Sequence, residues 1–223
     1  MPLVSVVVPV LADRAALEAL LAAIGADPAI ELVVVDGGND PGVQALTEAR
    51  PDTRLLRTPA GRAHQMNAGA EAATGRWLLF LHADSRLPDG WLHAMTVADR
   101  RPDVVGGWFR LKLDAGAWQA RVIERLAAWR VRLLRLPYGD QGIFVRRDTF
   151  HALHGYRELP LMEDVEFVRR LVRAGEIIEP RLAITTSARR WVRDGWFRRS
   201  ARNLVLVTLF RAGVSPQRLA RWY

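Results

Sequence analysis

Along the first eighty residues, unbroken apolar runs alternate with segments whose apolar positions recur every three or four residues. Leu3 to Val8, Leu32 to Val35 and Trp77 to Leu81 are the unbroken runs, the first two rich in β-branched side chains. Such runs predict strands buried on both faces, as in a parallel sheet. Between them, Leu17, Leu20, Leu21 and Ile24 share one helical face after Asp13, predicting a helix capped by Asp13 and stopped at Gly25. A short helix over Val43 to Ala49, a weaker strand at Arg54 to Arg57 and an alanine-rich helix from Arg62 to Ala73, ended by Gly75, complete the rhythm. This β-α-β-α-β-α-β order predicts an α/β fold, a mostly parallel central sheet flanked by helices.

The second half is less regular. Val104 to Leu113 and Gln141 to Val145 read as strands, and Ala117 to Leu136, Glu163 to Ala174 and Arg193 to Phe210 as helices. In the long helix, Trp118, Val122, Leu126, Trp129, Leu133 and Leu136 form one apolar face, with Arg121, Arg125, Arg132 and Arg135 on the opposite side. A basic amphipathic helix with tryptophans suits a membrane interface, and equally a surface helix packed over a core; the second is the expectation. Leu204 to Phe210 is too apolar for a solvated helix and raises the same two readings.

Composition narrows the classes. The 223 residues are half apolar and a quarter charged, enough for a core and far from a disordered chain. Lys and Arg total 32 against 24 acidic residues, a net charge of +8, with Lys112 the single lysine. That excess points to an anionic partner: a nucleotide, a phospholipid or a nucleic acid. The absence of cysteine excludes disulfides, thiolate metal sites and a thiol nucleophile. The start lacks the features of a secretion signal, and no apolar run approaches the roughly 18 residues of a membrane span. The expectation is a cytoplasmic protein, with peripheral contact at the inner face of the membrane allowed.

Ligands of open parallel sheets bind beyond the carboxyl ends of the strands. Pro9, Asp36 and Asp84 fall at three such ends, where they can converge on one crevice. Asp36 lies in Val-Val-Val-Asp-Gly-Gly-Asn-Asp, whose glycines let a ligand approach the backbone while the carboxylate accepts hydrogen bonds. Asp84 lies in Leu-Phe-Leu-His-Ala-Asp-Ser, where a carboxylate beside an imidazole can hold a divalent cation, and the cation a diphosphate. Each aspartate is also a plausible turn or helix cap.

These positions, with Arg62, Asn67 and Gly69, Glu163-Asp164 and Arg190-Trp191, resemble an inverting family 2 glycosyltransferase of GT-A fold over nearly the whole chain. The strings Gly61-Arg-Ala-His-Gln-Met-Asn67, Tyr138-Gly-Asp-Gln-Gly142, Pro160-Leu-Met-Glu-Asp164 and Thr186-Ser-Ala-Arg-Arg-Trp191 are closer still to short members associated with radical-SAM and selenodomain genes. The resemblance implies one domain over 1–223, with 1–100 the nucleotide-binding half and 101–223 the acceptor-binding half and C-terminal helices. It implies a nucleotide-sugar donor, UDP-linked by expectation, held by Pro9, Asp36, Gly37, Arg62, Asn67 and Asp84. It further implies Asp164 as base, with Glu163 second to it, and Asp140, Gln141, Arg190 and Trp191 toward the sugar or acceptor. Mn²⁺ or Mg²⁺ would sit on Asp84 alone or on Asp84 with His82, since His82 stands where the family's first metal-motif Asp stands. Gly37 replaces the second Asp of the usual D-D-G, and Ser187 the Gln of Q-x-x-R-W, so processive synthesis is not expected.

A lipid-linked acceptor and peripheral membrane contact fit the basic helices; nucleic acid is not an expected partner. The alternatives are a basic nucleic-acid-binding protein, for which no binding motif is present, and an inactive transferase-like fold. A nucleotidyltransferase is a lesser one, because Pro9 to Asp13 contains no Gly-rich loop.

Overall fold

The computed structural model describes residues 1–222. The first half follows the alternation in the sequence: β1 (Val4–Val10), α1 (Arg14–Ala23), β2 (Ile30–Asp36), α2 (Pro41–Glu48), β3 (Thr53–Arg57), α3 (Arg62–Ala72) and β4 (Trp77–Phe80). β1 pairs in parallel with β2 on one side and β4 on the other, and β2 with β3. Val6, Val7, Val8, Val33, Val34 and Val35 are fully buried, as strands covered on both faces require. The valines of alternate positions fall into two clusters, one under α1 and one under α3, which are the two cores of the layered fold.

The rest of the chain adds β5 (Ser85–Arg86), α4 (Trp91–Asp99), β6 (Val104–Gly107), β7 (Arg110–Asp114), α5 (Trp118–Leu134), β8 (Phe144–Arg146), α6 (Arg147–Ala152), α7 (Glu163–Ala174), β9 (Glu176–Ile178), β10 (Ala183–Ser187), α8 (Arg189–Asp194), α9 (Trp196–Arg211) and α10 (Pro216–Ala220). A seven-stranded sheet runs β3-β2-β1-β4-β8-β6-β9, antiparallel only where β8 meets β4 and β6. A second sheet, β5-β10-β7, stands apart from it.

Several expectations are corrected. The run Val104 to Leu113 is two strands in two sheets. At Gly107 an added Cβ would fall against the Ile178 carbonyl and the Phe144 ring, so the backbones there are too close for a side chain. The chain leaves the large sheet at that contact, and Phe109 N–H donates instead to the Gln141 carbonyl at 2.9 Å. The helix expected over Arg193 to Phe210 is broken at Gly195, whose φ of +85° only glycine adopts easily. The strand expected from Gln141 starts at Phe144, because Gly139–Gln141 forms a 3₁₀ turn. Asp13 makes no capping bond, and α1 ends at an extended Ile24 before Gly25.

The correction at α5 is the largest. Its inward face is Ala120, Ile123, Ala127 and Val131, while Trp118, Leu126, Trp129 and Leu133 are all exposed. Small side chains let this helix lie close to β7 and the Trp191 cluster, and the larger apolar stripe turns outward. Arg125, Arg132 and Arg135 are exposed beside it.

Candidate active site

The carboxyl ends of β1 and β2 are tied together before any ligand arrives. Asp36 is buried, and its two carboxylate oxygens accept the N–H groups of Gly38 at 2.8 Å and Asp40 at 2.7 Å. Asp40 in turn caps α2 through Gly42 N–H. Gly37 N–H donates to the Val10 carbonyl, and an added Cβ there would fall 3.0 Å from the Gln65 side chain. Gln65, which the sequence did not single out, is buried and donates to both the Val10 and Val35 carbonyls at 2.8 Å. Pro9 lies half-buried one residue inside β1. This edge therefore presents a rigid backbone loop, organised by Asp36 and Gln65.

Beyond β4 the chain carries His82 and Asp84 into a cavity of about 110 Å³, with Arg62, Asp140, Glu163, Asp164, Arg190 and Trp191 among its other walls. Four elements supply these groups: the α3 start, the β4–β5 link, the 3₁₀ turn at 139–141 and the α7 start, with α8 closing the side. β10 brings α8 to Asp84, since Ser187 N–H donates to the Asp84 carbonyl at 3.1 Å. Arg189 bridges Asp84, at 3.2 Å, and Asp13 at the head of α1.

The acidic pair opens α7, where the helix dipole favours negative charge. Its placement depends on Met162, a buried residue held at φ +70° and packed with Leu136, Leu206, Val207 and Leu219. A left-handed methionine costs free energy that the surrounding packing must offset, a pattern frequent at functional sites. The two carboxylates then differ. Glu163 is buried and ion-paired to Arg62 at 3.1 Å. Burial, then the charge of Asp164, push its pKa up, and Arg62 opposes them. Asp164 is half-buried and reaches across the cavity, where its Oδ2 accepts Gly139 N–H at 2.6 Å. A Cβ on Gly139 would lie 3.2 Å from His82 Nε2 and 3.3 Å from Asp164 Oδ2, so a side chain there would crowd both groups.

Asp140 is the second unusual acid. Its Oδ1 is shut off from solvent with no hydrogen-bond partner among the described residues. Burial raises its pKa to about 6, against the pull of Arg130 and with the help of Asp164 and Asp84. His82 moves the other way, down to about 3, through lost solvation and the cations Arg62 and Arg190. Its imidazole is therefore neutral and its lone pair available. Arg190, half-buried, makes no hydrogen bond or ion pair among the described residues.

Five expected site residues lie outside this cavity: Pro9, Asp36 and Gly37 at the β1–β2 edge, and Asn67 and Gln141 elsewhere. Asn67 donates to the Tyr156 carbonyl and accepts Tyr156 N–H, both at 2.8 Å, so its amide is used to clamp α3 to that loop. Gln141 is buried and bonded to Phe109, Arg130 and Tyr138, a wall support rather than a ligand contact. Trp191 lines the cavity with one edge, but its ring is packed in a core cluster and its N–H donates to Ser200 at 3.2 Å. Beyond Gln65, the sequence reading missed Met162, Gly139 and Arg189. All four stand inside the strings that carried the family resemblance, which was the signal that could have found them.

Among the described residues no three acidic or histidine side chains cluster as a complete cation cage. Asp84 and the neutral His82 still offer two donors. Mg²⁺-type sites commonly pair one or two carboxylates with substrate phosphate oxygens, so the donor set fits a cation that arrives with its diphosphate.

Residues 5–157 match the glycosyl transferase family 2 profile. A PGL/p-HBAD biosynthesis glycosyltransferase of Mycobacterium bovis is 32% identical over 168 residues, covering 70% of this chain and 63% of the relative. The chain thus spans less than two thirds of that relative's length. A mannosyltransferase of Pyrobaculum calidifontis, solved with GDP-Man and Mn²⁺, superposes with a TM-score of 0.70 at 21% identity, over 97% of this chain and 66% of that one. S. aureus TarS residues 1–349, solved with UDP-GlcNAc, gives a TM-score of 0.64 at 16% identity, over 84% of this chain and 58% of that one. Both share the α/β architecture with its mostly parallel central sheet.

Proposed function

This chain belongs to glycosyl transferase family 2, and on that premise we propose that it transfers a sugar from a nucleoside-diphosphate donor to an acceptor hydroxyl with inversion. Asp164 takes the acceptor proton while the acceptor oxygen bonds the anomeric carbon. The bond from that carbon to the diphosphate breaks in the same displacement, its electron pair leaving with the phosphate oxygen. Arg190 and Arg62 meet the growing charge on the leaving group. Glu163, paired with Arg62, positions that arginine. Asp140 accepts a hydrogen bond from a sugar or acceptor hydroxyl through its open oxygen. The nucleoside lies along the Pro9 and Asp36–Gly38 edge, beyond the strand ends. Asp84 with His82 would hold Mn²⁺ or Mg²⁺, which would neutralise diphosphate charge when bound.

The observation that supports this reading most is the pairing, in one cavity, of an uncommitted arginine (Arg190) with an acid (Asp164) delivered from a different element. A diphosphate and a hydroxyl need that combination, and two fold neighbours were solved with nucleotide-sugar donors. UDP is our reading of the base, with GDP as the competitor.

Thermal unfolding with UDP, GDP and UDP-sugars, each with and without Mn²⁺, tests it. A ligand at about 100 times its Kd adds about 2.7 kcal/mol, or roughly 5–10 °C in a chain this size. A shift with UDP that grows with Mn²⁺ is expected. No shift with any nucleotide would overturn the reading.

A further inference from the structure

The outward stripe of α5 has no counterpart in the chemistry above. Trp118, Leu126, Trp129 and Leu133 are 58–68% exposed, and α9 adds Phe197, Leu204 and Val205 at 48–56%. The helices touch, and the Trp118 and Phe197 rings meet with centroids 5.9 Å apart, so the two stripes adjoin. Apolar faces of this kind are rarely left to water. Neither helix is long and apolar enough to cross a membrane.

We propose that this α5–α9 face docks on the surface of an anionic phospholipid bilayer. Charge complementarity selects that occupant. Arg125, Arg132 and Arg135 stand exposed beside the α5 stripe, about a quarter-turn round the helix at 3.6 residues per turn, and Arg198 is exposed on α9. Arginines flanking a tryptophan-bearing apolar face match a headgroup layer over an acyl boundary. A recess at the C-terminal half of α5 brings Trp129, Arg132 and Arg135 together, beside an Arg110 already paired with Glu179 at 2.8 Å. The opposite face of α9 contributes Asn203, Leu206 and Val207 to the catalytic cavity, so docking sets the cavity wall against the lipid. The proposal holds whether or not the transfer chemistry does.

Flotation of the full chain is the test, using vesicles of phosphatidylcholine alone or mixed with an equal part of phosphatidylglycerol. Binding to the mixed vesicles is expected, weakening as salt rises. Trp129→Glu with Leu133→Glu should reduce it about tenfold or more, and Arg132→Gln with Arg135→Gln should weaken only the anionic preference, about tenfold. Both side-chain pairs are exposed, so an unchanged melting profile certifies the fold of each variant. Failure to float with the mixed vesicles, or wild-type flotation of the Trp129/Leu133 variant, would overturn the proposal. So would a dimer in solution that this variant splits, because the face would then belong to a second copy.

Discussion

Asp36 and Asp140 are both acids at the edge of the central sheet, and their surroundings are opposite. Asp36 has each oxygen filled by a backbone N–H, and its neighbours Gln65 and Asn67 are likewise fully engaged. Asp140 has one enclosed oxygen with no hydrogen-bond partner among the described residues. The first region uses its polar groups to fix a loop, and the second leaves polar valence open toward a cavity. A buried polar atom without a partner costs about 1–3 kcal/mol unless a ligand supplies one.

The largest expected effect lies at Asp164, whose two oxygens accept Gly139 N–H and the adjacent Val165 N–H. Asp164→Asn keeps the shape and removes the base, so turnover should fall about 10²–10⁴-fold. Nucleotide affinity should stay within a few-fold, read by calorimetry; undiminished turnover would remove Asp164 from its role. Arg190→Ala tests the uncommitted cation next. Loss of a charge-assisted contact of about 2 kcal/mol should weaken nucleoside diphosphate binding roughly 30-fold, with little change in the unliganded melting temperature. An unaffected Kd would place the diphosphate elsewhere.

The two aspartates themselves should then respond in opposite directions to the same change. Asp36→Asn puts an amide against two backbone donors and should destabilise the chain by about 2 kcal/mol, measured by denaturant unfolding. Asp140→Asn should stabilise it by about 1–2 kcal/mol at pH 7. The sign follows from the raised folded-state value of about 6, above the roughly 4 of an unfolded aspartate. Between those values the native chain holds the extra proton, so wild-type stability contributed by this group falls as pH rises from about 4 to 6. The advantage of the variant should vanish below pH 4. A flat difference across that window would mean that Asp140 is solvated.

Much of this was legible before the fold was known. Val4 to Val10 and Ile30 to Asp36 are buried on both faces, so their apolar runs are continuous and hard to misread. The motif residues Arg62, His82, Asp84, Asp140, Glu163, Asp164, Arg190 and Trp191 do line one cavity. Pro9, Asp36 and Gly37 lie outside it at the β1–β2 edge, and so do Asn67 and Gln141, since a side-chain amide serves a backbone as well as a ligand and the sequence does not say which. The orientation of α5 was unreadable for a different reason. The helix has two apolar stripes, and the heavier one is the eye-catching one, but close packing on β7 selects the alanines. Likewise Val104 to Leu113 has unbroken strand character, and only the contact at Gly107 divides it between sheets.

The small sheet carries a consequence for the order in which the protein is made. Its strands come from Ser85–Arg86, Arg110–Asp114 and Ala183–Ser187, and β10 is the one that pairs with both of the others. Ser85 Oγ and Thr186 Oγ1, 101 residues apart along the chain, meet at 3.1 Å. Contacts this distant in sequence close late, after the loop entropy between them has been overcome. On the ribosome, the β1–β4 layer can form while the last third is still unmade, and Asp84 waits without its neighbours. The cavity is therefore finished by the arrival of β10, and a chain that stops short of it would lack the walls that β10 and α8 supply.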